Sequence, residues 1–170
     1  MNVGIFVEML LWHKITRRGL KERCDSETPL YEITKNDLAE ISYYEEVPWF
    51  SFKTSDKPLA SFKYGCCSAV IVYLNGYMGL AHMGHGNKSE HYLNGMLSDE
   101  NLKNATKAMV LATGKEVDRI VIDCNMRGLE VIVDFNYENS ENNGIDVIVV
   151  PELKEVNIYT KAGKLTKYFE

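Results

Sequence analysis

The chain lacks an excess of positive charge, and it lacks any hydrophobic run long enough to cross a membrane. Nineteen Lys and Arg stand against 24 Asp and Glu in 170 residues, a formal charge of −5, which gives no electrostatic case for nucleic-acid binding. The cluster Lys14-Ile15-Thr16-Arg17-Arg18 is short and reads as a solvated turn. No stretch approaches the roughly 20 apolar residues of a spanning helix. The segment Met1 to Trp12 is apolar but carries Glu8, and it has neither a basic flank nor a small-residue cleavage site, so it does not read as a signal peptide. The expected location is the cytoplasm of the producing cell; secretion or translocation into a host cytosol would use a route without a visible signal. Four cysteines, at positions 24, 66, 67 and 124, show no disulfide spacing and read as thiols of a reducing compartment. There are no internal repeats, and Gly84-His85-Gly86 is too short for a phosphate cradle.

What is present is an ordinary globular composition, 45% hydrophobic and 25% charged, with enough chain for one domain over residues 1–170 and a sizeable core. Residues 1–58 carry no familiar motif and are expected to pack on the remainder. Within them, Asn2–Trp12 fits a buried strand or a helix, and residues 13–33 are polar and irregular. Thr34–Ser42 fits a short helix with Thr34 and Asp37 spaced as a capping box. Tyr43–Pro58 gathers Tyr43, Tyr44, Trp49, Phe50 and Phe52 without period, as a substrate-facing surface or as packing under a loop. Gly84–Gly95 reads as a loop. Leu102, Ala105, Met109 and Ala112 recur at helical spacing, predicting a helix over 98–113 capped by Ser98 and stopped at Gly114. Strands are expected at Val117–Cys124, Leu129–Phe135, Ile145–Val150, Glu155–Tyr159 and Leu165–Phe169, separated by turn signals, with Glu138–Asn143 a polar loop. Six or seven strands with two helices predict an α+β fold, a layered β-sandwich flanked by helices.

The densest signal lies between residues 64 and 83. Tyr64-Gly65-Cys66-Cys67 is followed by the apolar run Ser68–Leu74, then Asn75-Gly76, then Tyr77–His82. Asn-Gly between two β-rich runs specifies a hairpin with a two-residue turn, which fixes register. Opposed residues then have numbers summing to 151, so His82 faces Ala69, and Cys67 is its diagonal neighbour on the same face, roughly 7–8 Å away at Cα. Cys66 would point to the opposite face and, on a longer ladder, would oppose His85. Gly84 and Gly86 argue that the strand stops before that. A Cys beside a His is the minimal nucleophile–base pair. The same residues would also make an ordinary core face with Ala69, Ile71, Tyr73, Met78 and Leu80.

Gly65-Cys66-Cys67-Ser68-Ala69-Val70-Ile71-Val72-Tyr73, a tight turn, and Gly79-Leu80-Ala81-His82 resemble the catalytic hairpin of the CheD-like protein glutamine deamidases. That superfamily includes CheD, the catalytic domain of the cytotoxic necrotizing factors and the Burkholderia lethal factor. The likeness covers residues 59–84, and more loosely the order of elements through Tyr168. Some members have a Thr six residues before the Cys. Ser61 stands six before Cys67 and keeps the hydroxyl, whereas Ala60 stands six before Cys66. The toxins' Leu-Ser-Gly-Cys motif is replaced by Lys63-Tyr64-Gly65-Cys66, an alignment that would make Cys66 the nucleophile. CheD proteins tend to carry Gly-Gly-x-x-His, and here Gly79 stands alone.

The resemblance implies a catalytic set of Cys67, His82 and Ser61 that converts a Gln of a protein substrate to Glu. It calls for no cofactor and no metal. The missing CheD features and the leading segment favour a bacterial effector or toxin acting on a host cytosolic protein over a chemoreceptor-type housekeeping deamidase. Transamidation and Cys-dependent peptide hydrolysis share the chemistry. Zinc held by Cys66, Cys67, His82 and His85 would need ligands from opposite sheet faces. The non-catalytic alternative is a binding module that docks a partner through residues 43–52.

Overall fold

Asn75 and Gly76 form the expected turn. Both have positive φ, +50° and +80°, as a two-residue hairpin turn matched to strand twist requires. In the computed structural model, which describes residues 30–137 and 144–170, they join β4 (Ser68–Leu74) to β5 (Tyr77–Met83) in the anticipated register, with Ala69 opposite His82 and Ser68 opposite Met83. The readings for residues 1–29, including Cys24 and Asn2–Trp12, and for the 138–143 loop lie outside the described residues.

Around this hairpin the described residues form ten strands and three helices. In chain order the other elements are α1 (Glu32–Glu40), β1 (Glu45–Glu46), β2 (Ser51–Ser55), β3 (Leu59–Tyr64), α2 (Ser89–Leu97), β6 (Lys107–Ala112), α3 (Glu116–Asn125), β7 (Glu130–Asn136), β8 (Ile145–Val150), β9 (Glu155–Thr160) and β10 (Gly163–Tyr168). They build two five-stranded sheets, ordered β2-β5-β4-β6-β7 and β1-β3-β8-β9-β10. The fold is α+β, a layered sandwich flanked by helices.

Alternation along the strands explains the layers. Ala69, Ile71, Met78 and Leu80 of the hairpin meet Leu59, Val147, Val149 and Ile158 of the other sheet in one buried cluster. Their sequence neighbours Val70, Val72 and Ala81 turn the other way, onto Leu93 and Met96 of α2 and Ile120 and Cys124 of α3. The far face of the second sheet carries Ala60, Ile148 and Tyr159, with Leu38 of α1 packed against them. A strand buried on both faces reads as a continuous apolar run, as Ser68–Leu74 does.

Several expectations are overturned. The helix over 98–113 does not form: Ser98 follows the C-terminal end of α2, and residues 107–112 are β6, a central strand. All of Ala108–Ala112 is buried, so the helical spacing of Leu102, Ala105, Met109 and Ala112 was coincidental within an apolar run. Conversely, Val117–Cys124 is helix α3, not a strand. Val117, Ile120 and Cys124 are its buried positions, spaced i, i+3, i+7, while Ile122 is exposed. That is helical period carried by β-branched residues. The segment read as a loop, Gly84–Gly95, supplies most of α2. Gly95 sits in that helix because a Cβ there would lie 2.3 Å from the Phe52 ring.

The capping box also fails. The N-cap of α1 is Tyr31, while Thr34 Oγ1 donates to Asp146 Oδ2 at 2.9 Å, and Asp37 accepts from Tyr159 and Lys164, both at 2.6 Å. Residues 43–58, expected as surface or loop packing, contribute β1 to one sheet and β2 to the other. In β3 the ladder to β8 slips by one residue. Ser61 pairs with Val147 and Tyr64 with Ile145, leaving Phe62 and Lys63 together opposite Asp146. This is a β-bulge, and Lys63 has φ +61°.

Candidate functional site

Three strands converge on His82. It is the penultimate residue of β5 and fully buried. Ser61, fully buried on β3 of the facing sheet, places its Oγ 2.8 Å from His82 Nδ1. The same hydroxyl donates to the Val47 carbonyl at 2.8 Å. A carbonyl only accepts, and a hydroxyl has one hydrogen. Ser61 therefore gives its proton to Val47 and accepts from His82 Nδ1–H. The pair of bonds fixes the neutral imidazole as the Nδ1–H tautomer and leaves the lone pair on Nε2.

Tyr64, at the end of β3, lies flat against His82, with ring centroids 3.8 Å apart and planes within 10°. Burial pushes its phenol well above the ordinary range, so Tyr64 stays neutral and serves as an aromatic face. Trp49 stands at the edge of this group, its ring centroid 6.3 Å from that of His82 and its Nε1 donating to Phe62 O at 3.3 Å.

Cys67 directly precedes β4 and is fully buried in the cluster between the sheets with Ala69, the ladder partner of His82. Its carbonyl accepts from the Tyr137 hydroxyl, which ties the start of β4 to the residue after β7. Cys66 lies in the bend between β3 and β4, so strand alternation does not reach it. Contrary to expectation, it joins the same inter-sheet cluster as Cys67. The pairing of Cys66 with His85 does not form, because β5 ends at Met83 and His85 is exposed. The four residues considered for zinc do not converge. Among the described residues no three of His, Cys, Asp or Glu are gathered as a metal would need. Exposed His91 packs its ring edge-on to Tyr92, away from this group. Cys66, Cys67 and Cys124 form no disulfide, and burial raises the Cys124 thiol to about 12.

The structure thus brings Ser61 onto His82 and sets Cys67 on the same inner face. Sequence reasoning missed Tyr64, Trp49, Tyr137 and the Val47 carbonyl. Trp49 lay within the aromatic stretch it noted, whereas Tyr64 was hidden by the bulge. A regular strand would have turned it away from Ser61's side.

The group is closed. The connection from β1 to β2 runs past it, with Val47 bonded to Ser61 and Trp49 beside His82. Phe50 at its end has φ +56° and is exposed, and its ring lies so close over Gly84 that a Cβ there would sit 2.3 Å away.

No protein-family model matches the chain, and no curated protein matches it. Among solved structures, the C-terminal domain of CNFy from Yersinia pseudotuberculosis is similar at 10% identity and a TM-score of 0.33. The match covers 66% of this chain and 54% of that one, so the chain spans about half the length of that domain. This is a weak structural similarity to a cytotoxic necrotizing factor, and it assigns no residue a role. Among the described residues no helix is long and apolar enough to cross a membrane.

Proposed function

We propose that the chain is a Cys–His amidohydrolase of the CheD and cytotoxic necrotizing factor type, converting a Gln side chain of a protein substrate to Glu. The observation that carries this reading is the Ser61 hydroxyl, which spends its proton on Val47 and so holds His82 with its basic nitrogen opposite the Ser61 side. A buried His in any core needs a partner for its N–H, and this partner also leaves Nε2 as the acceptor. A His that must take a thiol proton needs that acceptor.

In this mechanism Cys67 Sγ attacks the carboxamide carbon as its proton passes to His82 Nε2. Backbone N–H groups of Cys67 and its neighbours hold the oxyanion. The C–N bond then breaks as His82 protonates the departing ammonia. Water, deprotonated by His82, attacks the thioester; the C–S bond breaks, and the Glu carboxylate and the Cys67 thiol are restored. Ser61 orients His82 throughout. The substrate is a protein with an exposed Gln, and the resemblance makes a host cytosolic protein its expected source.

The full burial of Cys67 and His82 favours one rival, a binding module in which the pair is inert core. Residue-resolved mass spectrometry of a lysate treated with the protein or with Cys67→Ala separates the two. Gln-to-Glu conversion present only with the unmodified protein supports the deamidase; conversion that persists with Cys67→Ala rules it out.

A further inference from the structure

Resting on the catalytic reading of Cys67 and His82, we propose that Asp146 is a positioning residue: by holding the Lys63 N–H it fixes the bulge that turns both Ser61 and Tyr64 onto His82. Residues three apart on a regular strand face opposite sides of the sheet. Ser61 and Tyr64 are three apart, yet one bonds His82 Nδ1 and the other stacks on its ring. The slipped register between them accounts for this. Phe62 and Lys63 together take the place of one residue, and Asp146 stands alone across from them.

The bulge depends on Lys63 at φ +61°, a left-handed conformation that a non-glycine residue keeps only where its surroundings impose it. Asp146 Oδ1 accepts from Lys63 N at 2.9 Å. The other oxygen accepts from Thr34 Oγ1 at 2.9 Å and Tyr31 N at 3.4 Å. The carboxylate therefore clamps the bulge to α1 from the outer face of the sheet, while its effect appears on the inner face. Asp146 is 2% exposed, and burial raises its carboxyl above the ordinary range against those hydrogen bonds. A buried acid is an expensive way to fill a core position, and here its oxygens go to backbone and helix groups that an apolar side chain could not satisfy. The exit of β3 also sets the path of Gly65-Cys66-Cys67, so the same clamp reaches the nucleophile.

The test compares Asp146→Ala, Asp146→Asn, Asp146→Ala with Lys63→Gly, and Lys63→Val. Two readouts serve: the His82 ring-proton shifts, which the Tyr64 face displaces upfield, and the midpoint of the pH profile for Cys67 alkylation, which opening of the site does not move. Asp146→Ala should relax the His82 shifts and raise the midpoint by about one unit as the thiolate loses its imidazolium partner. Asp146→Asn keeps an oxygen for Lys63 N and should resemble the unmodified protein. Lys63→Gly should restore both readouts in the Asp146→Ala background, because glycine takes positive φ without a clamp. Lys63→Val disfavours that φ with Asp146 intact and should reproduce the loss, which keeps the test decisive if Asp146→Ala does not fold. A folded Asp146→Ala or Lys63→Val with unchanged shifts and midpoint overturns the proposal. Gln conversion is scored separately. Its absence from the unmodified protein would remove the deamidase reading while the Asp146 dependence of His82 stood, and conversion indifferent to Asp146 would remove only the positioning role.

Discussion

Tyr64 and His82, eighteen residues apart in sequence and on different sheets, stack face to face at 3.8 Å. The stack joins the two layers at the point where Ser61 also crosses between them. Truncation here leaves a void and an imidazole without its aromatic support. Tyr64→Ala is expected to destabilise by about 3–5 kcal/mol, visible as a fall in urea midpoint. Tyr64→Phe keeps the ring and loses a hydroxyl that donates to Ala81 O at a long 3.4 Å and also interacts with the Ser61 side chain, so its stability should fall by only about 1 kcal/mol. Equal losses in the two variants would show that the hydroxyl, not the ring, is what matters.

Ser61 and Cys67 should fail differently. On the proposed mechanism, Cys67→Ala should abolish Gln conversion. Ser61→Ala leaves His82 Nδ1–H and the Val47 carbonyl without their shared partner, a penalty of about 1–3 kcal/mol in stability. It should slow turnover by about 10–100-fold without ending it, since the nucleophile and base remain. Single-turnover kinetics on an identified substrate would read this, and a Ser61→Ala rate equal to the original would remove Ser61 from the mechanism.

The Val47–Phe50 connection lies against Ser61 and His82, which makes it the expected route to Cys67. Trp49→Ala should open it, so that iodoacetamide reaches Cys67 faster under native conditions. Cys124 supplies an internal reference. Burial raises its thiol to about 12, so at neutral pH it stays protonated and unreactive. Peptide mapping after a short exposure would show Cys67 labelled and Cys124 untouched. Labelling of Cys67 that ignores Trp49 would place the entrance elsewhere.

Acid should weaken the sandwich through Asp99. Thr54 Oγ1 of β2 donates to Asp99 Oδ2 at 2.5 Å, and this bond, with others from Asn101, holds the carboxyl below the ordinary aspartate range. A depressed folded-state value means the unfolded chain binds the proton more readily. The contribution is therefore present above about pH 4 and is lost as pH falls through the folded value. Asp146 has the opposite sign: its raised value makes the folded state the better proton binder, so its contribution declines as pH rises from 3.8 through the folded value. Asp99→Asn should lower the neutral region of a stability-versus-pH curve, where the carboxylate contributes, and flatten its acid limb. An acid limb as steep as before would assign that loss to other carboxyls.

The hairpin register was legible because a two-residue turn leaves no freedom in the pairing, and Ala69 does face His82. Strands β8 and β9 were legible for similar reasons, being short β-branched runs bounded by Gly, Pro and polar residues. Residues 107–112 and 117–124 exchanged identities because burial on both faces erases the period that distinguishes strand from helix, and because Val and Ile occur in α3 for packing, not for β-propensity. At the site, Ser61 was reachable by its spacing from Cys67. Tyr64 was not, because the bulge that redirects it depends on Asp146, 83 positions beyond Lys63, and no local pattern encodes a contact that distant.

The separation in sequence of the site's parts also orders their assembly. Cys67 and His82 ride on one hairpin closed by a two-residue turn, the cheapest kind of loop to close. Ser61 needs β3 to find β8, and the Lys63–Asp146 bond must wait until most of the chain has emerged. Local pairs form early and long-range strand pairs late. During synthesis or refolding, thiol and imidazole would be neighbours well before the imidazole is oriented. On the proposed mechanism chemical competence would arrive with the last strands, and a half-folded chain would carry its thiol without the means to use it.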